Sequence, residues 1–314
     1  MSKKCLYCYK ALDTGGDFHP SCSSLFFGTP KPPTLDYTLS EMSELAKEVV
    51  ESAVTVPGVQ PKLSLGFIRE VLQDGSKGRL TVMGALGGNY ILKPQNETFP
   101  QMPENEHLTM RMAELCGIFV VPSTLIRLKS GELSYLTKRI DRTETGEKIH
   151  MLDMFQILEA FDKYRSSVEK VGKAVAEHSS NTLLDLLRLF EVVLFSYITG
   201  NNDMHLKNFS LILFNQDWML ASAYDLLNVN LHIPEDTEEM ALTIAGKKRR
   251  LTKSDFINLG LSFQLTEKQI MNTFKRLIKA EKKMKQEIKS SFLSPENQMK
   301  YIELLEARLS LFKR

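Results

Sequence analysis

The chain contains 314 residues, of which 43% are hydrophobic and 25% are charged, and its formal net charge is only +2. This length accommodates about two globular domains, and the near-neutral charge argues against general binding of polyanions. The apolar stretches are too short to cross a bilayer, and no apolar signal-peptide core follows Lys3 and Lys4. We therefore expect a cytoplasmic protein that does not associate with a membrane.

The start of the chain carries a pattern of metal-ligand type. Cys5-x-x-Cys8 and His19-x-x-Cys22 are separated by ten residues, and two short pairs of this kind can complete a zinc tetrahedron. Thiolates and imidazole are ligands that suit zinc. Residues 1–28 are therefore predicted to form a Cys/His segment with a structural zinc ion. The alternative is a reduced turn without metal.

The next segment predicts a helix followed by a small antiparallel sheet. Thr38 and Glu41 have the spacing of a capping box, and apolar residues at helical spacing continue to residue 53. A Gly- and Pro-containing turn at 55–62 leads into a strand with alternating apolar residues that starts at Leu63. Further elements follow in the order strand at Leu80–Met83, strand at Tyr90–Lys93, helix at 104–116, strand at Phe119–Leu128 and strand at Leu133–Thr137.

From about residue 150 the pattern becomes mainly helical. Met151 to Phe161 show helical spacing and predict a core helix, and Leu183–Thr199 is apolar nearly all round, which predicts a buried helix. Two short strands, Leu211–Phe214 and Trp218–Ala221, follow, and helix starts are predicted at Thr252, Thr266 and Ser294. The fold class is therefore α+β: a small antiparallel-sheet lobe over 29–141 and a mainly helical lobe over 142–314, as in a bilobal protein-kinase-like fold.

The loop that follows the apolar helix is the most informative stretch. Between Gly200 and Leu211 it places Asp203, Lys207 and Asn208 within six residues. Buried polar groups need partners, so such a loop contributes little to a core. Loops on a rigid scaffold commonly carry chemistry.

Phosphoryl transfer requires a carboxylate that receives the hydroxyl proton and oxygen ligands for Mg²⁺. Protein kinases supply them from a loop Asp, an Asn five residues later and an Asp beyond the next hairpin. Asp203, Asn208 and Asp225 have that order. The Lys207 ammonium could neutralise the transferred group, while we expect His205 to be structural. The alternative is a set of scattered surface polar residues.

A second set of kinase features lies upstream. Lys93 ends a predicted strand and Glu106 lies in the first turn of the next helix, an arrangement that suits a phosphate-binding Lys held by a helix Glu. The turn at 55–62 could cover phosphates with its backbone N–H groups. Each feature alone also fits an ordinary sheet with an exposed Lys, and a Glu that favours the helix dipole. Their order in one chain favours a kinase.

At these residues the sequence resembles the HipA-like serine/threonine kinases, toxins of bacterial type II toxin–antitoxin systems. The resemblance covers nearly the whole chain and rests on several motifs. These are the family loop with its Asp, His, Lys and Asn, which looks like Asn201–Asn208, and also Tyr224-Asp225, Asn105-Glu106, Arg139-Ile140-Asp141-Arg142 and the opening C-x-x-C…H-P-x-C. The loop motif is the most specific of these.

The resemblance implies a role for each matched residue. Asp203 would be the catalytic base, and Asn208 and Asp225 would bind Mg²⁺. ATP would be bound by the glycine-containing loop, by Lys93 with its partner Glu106, and, at the adenine, by the backbone of Lys138 to Ile140. The loop residues expected to contact the nucleotide are Gly58, Val59, Gln60 and Lys62.

The resemblance also implies regulation by the glycine-containing loop. In the family, the loop S-x-x-G-x-Q-x-K carries a serine whose autophosphorylation ejects the loop and silences the kinase. Thr55 stands at that position here, with Gly58, Gln60 and Lys62 kept. Autophosphorylation of Thr55 is the expectation, and an ordinary turn hydroxyl is the alternative.

Partners follow from the resemblance as well. Longer members carry a further subdomain before the C-x-x-C segment, so the chain looks like the short HipT-type kinases of tripartite systems. We then expect a HipS-like small antitoxin and a HipB-like DNA-binding protein, with nucleic acid contacted only through the complex. The expected substrate is an aminoacyl-tRNA synthetase, glutamyl or tryptophanyl, whose phosphorylation inhibits translation and leads to persistence. Location would be the bacterial cytoplasm, with secretion into a host left open.

Two other functions stay open at this point. One is a small-molecule kinase, because sugar and aminoglycoside kinases share a loop with the same Asp and Asn spacing. The other is a zinc-stapled binding module that takes no nucleotide.

Overall fold

The computed structural model describes residues 3–13, 15–52, 62–70, 77–83 and 88–313. The chain divides into two compact units, each assembled from separate stretches of sequence. The first comprises Met1–His107, Val121–Glu147 and Ser290–Phe292, and the second comprises Leu108–Val120, Lys148–Lys289 and Leu293–Arg314. The predicted linear division at residue 141 stays a prediction.

The first unit is built on a five-stranded antiparallel sheet. Its helices are α1 (Pro20–Phe27) and α2 (Leu39–Ser52), and its strands are β1 (Leu63–Glu70), β2 (Lys77–Met83), β3 (Tyr90–Lys93), β4 (Ser123–Arg127) and β5 (Leu133–Lys138). The strand order is β2-β1-β3-β5-β4. Helix α3 (Met102–Leu115) begins in this unit and continues into the second. The register places Lys93 opposite Tyr135.

An apolar core lies between this sheet and the two helices that precede it. Its buried members come from α1, the segment before α2, α2 itself, the strands and the residue after β4: Phe26, Phe27, Leu35, Met42, Leu63, Leu65, Leu80, Tyr90, Leu92, Ile126, Leu128 and Leu136. Phe26 and Phe27 pack edge to face, with ring centroids 4.8 Å apart. Burial of each such side chain contributes roughly 1.5–3 kcal/mol, so α1 is an integral part of the unit.

The second unit is mainly helical with a small sheet. In chain order its elements are β6 (Met151–Asp153), α4 (Met154–Ile157), α5 (Val168–His178), α6 (Thr182–Thr199), β7 (Ser210–Phe214), β8 (Asp217–Leu220), α7 (Lys253–Ser262), α8 (Glu267–Ser290) and α9 (Pro295–Lys313). The sheet is antiparallel in the order β6-β7-β8.

Helix α6 is the centre of the second unit. Its residues from Leu189 to Thr199 are all buried, as the apolar pattern predicts. Gly200 ends it at φ 73°, and a Cβ there would lie 2.8 Å from Leu304 Cδ2. Only glycine meets both conditions without strain, so the loop that follows α6 starts at a fixed point.

Most predicted elements are confirmed, including α2, α3, β1 to β5, α6 and the β7–β8 hairpin. The α+β class with a small antiparallel sheet and a mainly helical second part is also confirmed. The capping box at Thr252 is present, with Asp255 completing it.

The predicted core helix over Met151–Phe161 is wrong. Met151 pairs with Ile212 in β6, and Asp153 then caps a single helical turn, α4. Phe161 is fully exposed. Strand pairing and the cap override the helical spacing of the apolar residues, which is a weak signal over so short a run.

Within the described ranges, the search for a helix of sufficient length and hydropathy to traverse a bilayer found none.

Candidate functional site

Two buried asparagines fix the loop that follows α6. Asn201 donates from Nδ2 to the Asp225 carbonyl at 3.4 Å, and Asn202 donates to Oδ2 of Asp236 at 2.8 Å. Both asparagines are almost wholly buried. Because buried amides favour positions where their hydrogen bonds are made, the loop is held at its start and against the segment that carries Asp225.

Asp203 is held by a residue that the sequence did not indicate. The Tyr164 hydroxyl donates to Asp203 Oδ1 at 2.7 Å. The Tyr164 ring packs edge to face on His205, with centroids 5.2 Å apart, and Lys163 Nζ lies 4.8 Å from the Tyr164 centroid. One carboxylate oxygen of Asp203 is therefore oriented by a phenol that lies 39 positions upstream.

Asn208 is connected directly to Asp203. It ends a short 3-10 turn, Leu206–Asn208, and is 5% exposed. Its Nδ2 donates to the Asp203 backbone carbonyl at 3.0 Å. This bond uses the amide nitrogen, so the amide oxygen is the atom that can serve a hard cation.

Asp225 has an unusual backbone conformation, with φ at 59°. The left-handed region is costly for most residues but more accessible to Asp, and strain of this kind often accompanies function. The preceding Tyr224 donates from its hydroxyl to the Lys207 carbonyl at 2.9 Å and hydrogen-bonds Ser210. Burial raises the pKa of Tyr224, so this tyrosine stays protonated and joins the two predicted metal-binding segments.

The remaining charged groups of the loop occupy different surroundings. Lys207 is exposed, and its Nζ lies 4.8 Å from the centroid of Phe155. His205 is 6% exposed, and its Nδ1 has no hydrogen-bond partner in the part of the chain that the structure describes. Burial lowers the pKa of His205, which favours the neutral imidazole.

In the first unit, Lys93 and Glu106 form a buried ion pair. Nζ and Oε1 are 2.7 Å apart, and the two side chains are 5% and 1% exposed. Lys93 Nζ also lies 5.5 Å from the Tyr135 ring centroid. Because desolvating two charges is costly, a buried pair is weak evidence of stability and a better indication of function.

Two backbone hydrogen bonds hold the chain at the end of β5 and at the residue that follows it. The Lys138 N–H donates to the Pro122 carbonyl at 3.0 Å and the Arg139 N–H to the Asn89 carbonyl at 2.8 Å. Asp141 receives hydrogen bonds from Arg139. Burial would raise the pKa of Asp141, but Arg139 and the neighbouring arginine lower it below its usual value.

Part of the predicted nucleotide site cannot be placed. Thr55, Gly58, Val59 and Gln60 lie outside the described residues. Lys62 is described, and it is exposed immediately before β1.

The predicted Cys/His ligands come together. The ligand atoms of Cys5, Cys8, His19 and Cys22 all lie within 4.8 Å of one another. This arrangement is compatible with a bound metal ion.

The family model described as HipA-like C-terminal domain matches residues 54–285, which is most of the chain. The chain belongs to the HipA-like family. This match includes Lys93, Glu106, Asp203, Asn208 and Asp225, the residues whose geometry is described above.

Curated relatives carry kinase names. A protein of Haemophilus influenzae that is provisionally named a kinase is 30% identical over 212 residues, or 63% of this chain and 59% of that protein. The serine/threonine-protein kinase toxin HipA of Shewanella oneidensis is 27% identical over 208 residues, which cover 59% of this chain and 45% of that one. The chain thus spans about half to three-fifths of the length of these relatives.

Solved structures show that the fold is kinase-like. HipA of Shewanella oneidensis, solved in a complex with HipB and operator DNA, matches with a TM-score of 0.65 and 18% identity over 86% of this chain and 70% of HipA. The Helicobacter pylori proinflammatory kinase CtkA matches with a TM-score of 0.53 and 14% identity over 80% of this chain and 94% of CtkA. At such identities the likeness concerns the fold alone.

Proposed function

We propose that the protein is an ATP- and Mg²⁺-dependent protein serine/threonine kinase. The observation that carries this proposal is the loop geometry: Asn208 is bonded to the carbonyl of Asp203, whose carboxylate is oriented by Tyr164. Membership of a family with relatives named as kinases supports the same conclusion.

In this proposal Asp203 accepts the proton of the attacking hydroxyl. Tyr164 donates to Oδ1 of the carboxylate, so Oδ2 would be the oxygen that accepts the proton. Asn208 Oδ1 and the Asp225 carboxylate would hold Mg²⁺, because amide and carboxylate oxygens match its preference. When bound, Mg²⁺ supplies positive charge against the phosphates. The Lys207 ammonium adds charge at the rim of the loop.

Nucleotide binding is assigned to the first unit. Lys93 contacts the phosphates of ATP, and Glu106 keeps its ammonium oriented at 2.7 Å. The backbone N–H groups of Lys138 and Arg139 already donate to the carbonyls of Pro122 and Asn89. Among the residues that the structure describes, the Ile140 N–H has no backbone acceptor, so Ile140 is assigned to the adenine.

The loop from Thr55 to Lys62 is assigned to the phosphates and to self-regulation. Gly58, Val59 and Gln60 would present N–H groups to the nucleotide, with Lys62 adjacent. Autophosphorylation of Thr55 would place a doubly charged group in this loop and displace it.

The biological role that we propose is that of a toxin in a bacterial type II toxin–antitoxin system, acting in the cytoplasm. The protein would phosphorylate an aminoacyl-tRNA synthetase, glutamyl or tryptophanyl, and so inhibit translation. A HipB-like DNA-binding protein and a HipS-like small antitoxin would be its partners, as in a HipT-type system. The Cys/His cluster would be a structural zinc site outside this chemistry.

The deciding experiment is radiolabel transfer from γ-labelled ATP in the presence of Mg²⁺. The 314-residue chain is incubated alone, with each purified synthetase, and with a metabolite extract. We expect label on the protein and on one synthetase, and loss of both signals in Asp203→Ala and Asp225→Ala. Label that persists in both variants would overturn the proposal. Label found only on a small molecule would instead support the metabolite-kinase alternative.

A further inference from the structure

Residues 3–13 and 15–28 contain a Cys/His cluster that the proposed phosphoryl-transfer chemistry does not use. Three thiols and one imidazole converge there, since the ligand atoms of Cys5, Cys8, His19 and Cys22 lie within 4.8 Å of one another. Cys116 is the remaining cysteine, and it is buried elsewhere, in the second unit.

The distances within this cluster fit a tetrahedral metal site. His19 Nδ1 lies 3.4 Å from Cys8 Sγ and 3.8 Å from Cys22 Sγ. Zinc bonds of about 2.3 Å to sulfur and about 2.0 Å to nitrogen give ligand–ligand edges of about 3.6 Å. Four protein ligands fill the tetrahedron, so no position stays open for a substrate, and the role of such a site is structural.

The orientation of His19 points to the same conclusion. Its Nε2 lies 2.9 Å from the Ala11 carbonyl oxygen. A carbonyl can only accept, so Nε2 carries the hydrogen of the neutral ring and Nδ1 presents a lone pair to the three cysteines. Metal-bound histidines usually fix their tautomer by such an outer hydrogen bond.

The turn that holds the first two cysteines ends on a residue that reaches α3. Tyr9 follows Cys8, its N–H donates to the Cys5 carbonyl at 2.9 Å, and its φ is 62°. This conformation is costly for tyrosine and needs support from its surroundings. The Tyr9 hydroxyl shares a hydrogen bond of 2.9 Å with His107 Nδ1. His107 is adjacent to Glu106, the partner of Lys93.

We propose that Cys5, Cys8, His19 and Cys22 bind one structural Zn²⁺ ion, and that the metal-bound turn keeps Tyr9 against His107 and thereby fixes the turn of α3 that carries Glu106. Tyr9 is a positioning residue in this arrangement. The metal site stands independently of the proposed kinase function, whereas an effect of Tyr9 on catalysis rests on it.

The metal site is tested on the 314-residue chain purified without chelators from zinc-supplemented medium. Elemental analysis and native mass spectrometry should find about one zinc ion per chain. Cobalt exchanged into the site should show thiolate charge-transfer bands and tetrahedral d–d bands. Cys22→Ser and His19→Ala should lose the metal. Cys116→Ala is the matched control and should keep it, because burial raises the pKa of that thiol to about 12 and leaves it protonated.

A measurement on the unmodified chain covers the case in which those variants fail to fold. Titration with a mercurial reagent should release the zinc to a chromogenic chelator as the thiols of the cluster react. Zinc well below one ion per chain together with absent cobalt bands, or equal loss of metal in Cys116→Ala, would overturn the site.

The positioning role is tested with Tyr9→Phe, which removes only the hydroxyl. We expect zinc content to be unchanged, and amide hydrogen exchange over residues 105–108 to become about tenfold faster. Turnover with ATP should fall by a similar factor. Unchanged exchange would overturn the positioning role and leave the metal site standing. If the unmodified chain transfers no phosphate, the kinase proposal fails, while metal content and exchange still decide this inference.

Discussion

The Tyr164 hydroxyl donates a 2.7 Å hydrogen bond to Oδ1 of Asp203. A phenol that donates to a carboxylate keeps that carboxylate in one rotamer, and hydrogen bonds to charged groups contribute about 1.5–3 kcal/mol. Burial raises the pKa of Tyr164 above its usual value, and the bond to Asp203 raises it further. The hydroxyl therefore remains a donor throughout the physiological pH range.

Tyr164→Phe should lower kcat by about tenfold or more, because it removes the orienting bond, of about 1.5–3 kcal/mol, and leaves the ring on His205. The KM for ATP should change little, since Tyr164 orients Asp203, the proposed proton acceptor, and not the nucleotide. Initial rates measured over a range of ATP concentrations separate the two parameters.

Tyr301→Phe is the matched control for this substitution. Tyr301 is fully buried, and its hydroxyl forms a 2.8 Å hydrogen bond with Thr109 Oγ1. Loss of this hydrogen bond should lower the free energy of unfolding by about 1 kcal/mol without altering kcat. Equal kcat values for Tyr164→Phe and the unmodified protein would show that Asp203 needs no orientation from this phenol.

The buried Lys93–Glu106 pair should be essential for nucleotide binding and dispensable for stability. Glu106→Ala removes the carboxylate that lies 2.7 Å from the buried Lys93 ammonium, and breaking a buried pair in this way costs about 3–5 kcal/mol. The double variant Lys93→Met/Glu106→Leu removes both charges and should recover most of that loss. Urea denaturation measures the free energy of unfolding of each variant.

Calorimetric titration with ATP and Mg²⁺ measures nucleotide binding by the same Lys93 and Glu106 variants. The double variant should be folded and should bind no nucleotide, because the ammonium that we propose to contact the phosphates is gone. ATP binding that survives in the stable double variant would remove Lys93 from the proposed site.

The sequence predicts those parts of the fold and candidate site that depend on local patterns. The start of α7 is fixed by the Thr252 capping box, and the short spacing from Asp203 to Asn208 lets a single 3-10 turn join them. These features need only neighbours in sequence, so they are visible without a structure.

Features that depend on distant partners could not be predicted. Tyr164 lies 39 positions before Asp203, and neither periodicity nor a motif connects the two. Met151 has the spacing of a helix, but its strand partner, Ile212, lies far along the chain and decides its conformation. Tertiary pairing overrides local propensity at such positions.

Stability of the second unit should depend on pH through Asp255. Its carboxylate receives bonds from Lys247 Nζ at 2.7 Å and 2.9 Å and from the Thr252 N–H at 2.8 Å. Burial would raise the pKa of Asp255, but these bonds lower it. A lowered folded-state pKa means that the stabilisation is present above the unfolded value of about 3.9 and is lost as pH falls through the folded value.

Asp255→Asn should therefore cost about 1 kcal/mol at pH 7, the magnitude typical of a cap. This difference from the unmodified protein should shrink as the pH falls below about 4. Urea denaturation of both proteins from pH 7 to pH 3 provides the comparison. A difference that stays constant over this range would show that ionisation of Asp255 does not contribute.

Gly172 should resist substitution even by alanine. It lies within α5, where alanine normally stabilises a helix by about 1 kcal/mol relative to glycine. A Cβ at this position would overlap the Phe263 ring, with Cδ1 at 2.6 Å. Overpacking of this kind costs about 1–3 kcal/mol, so Gly172→Ala should destabilise the protein despite its better helix propensity. Thermal and urea denaturation measure the loss.

Two controls connect this effect to the ring. Gly15→Ala should be close to neutral, because among the described residues a Cβ there meets no atom within 4 Å. Phe263→Leu should relieve the overlap, so Gly172→Ala should cost less in a Phe263→Leu background than in the unmodified one, as contacting residues couple in a double-mutant cycle. Equal costs in both backgrounds would mean that the close approach of Gly172 to Phe263 does not set the requirement for glycine.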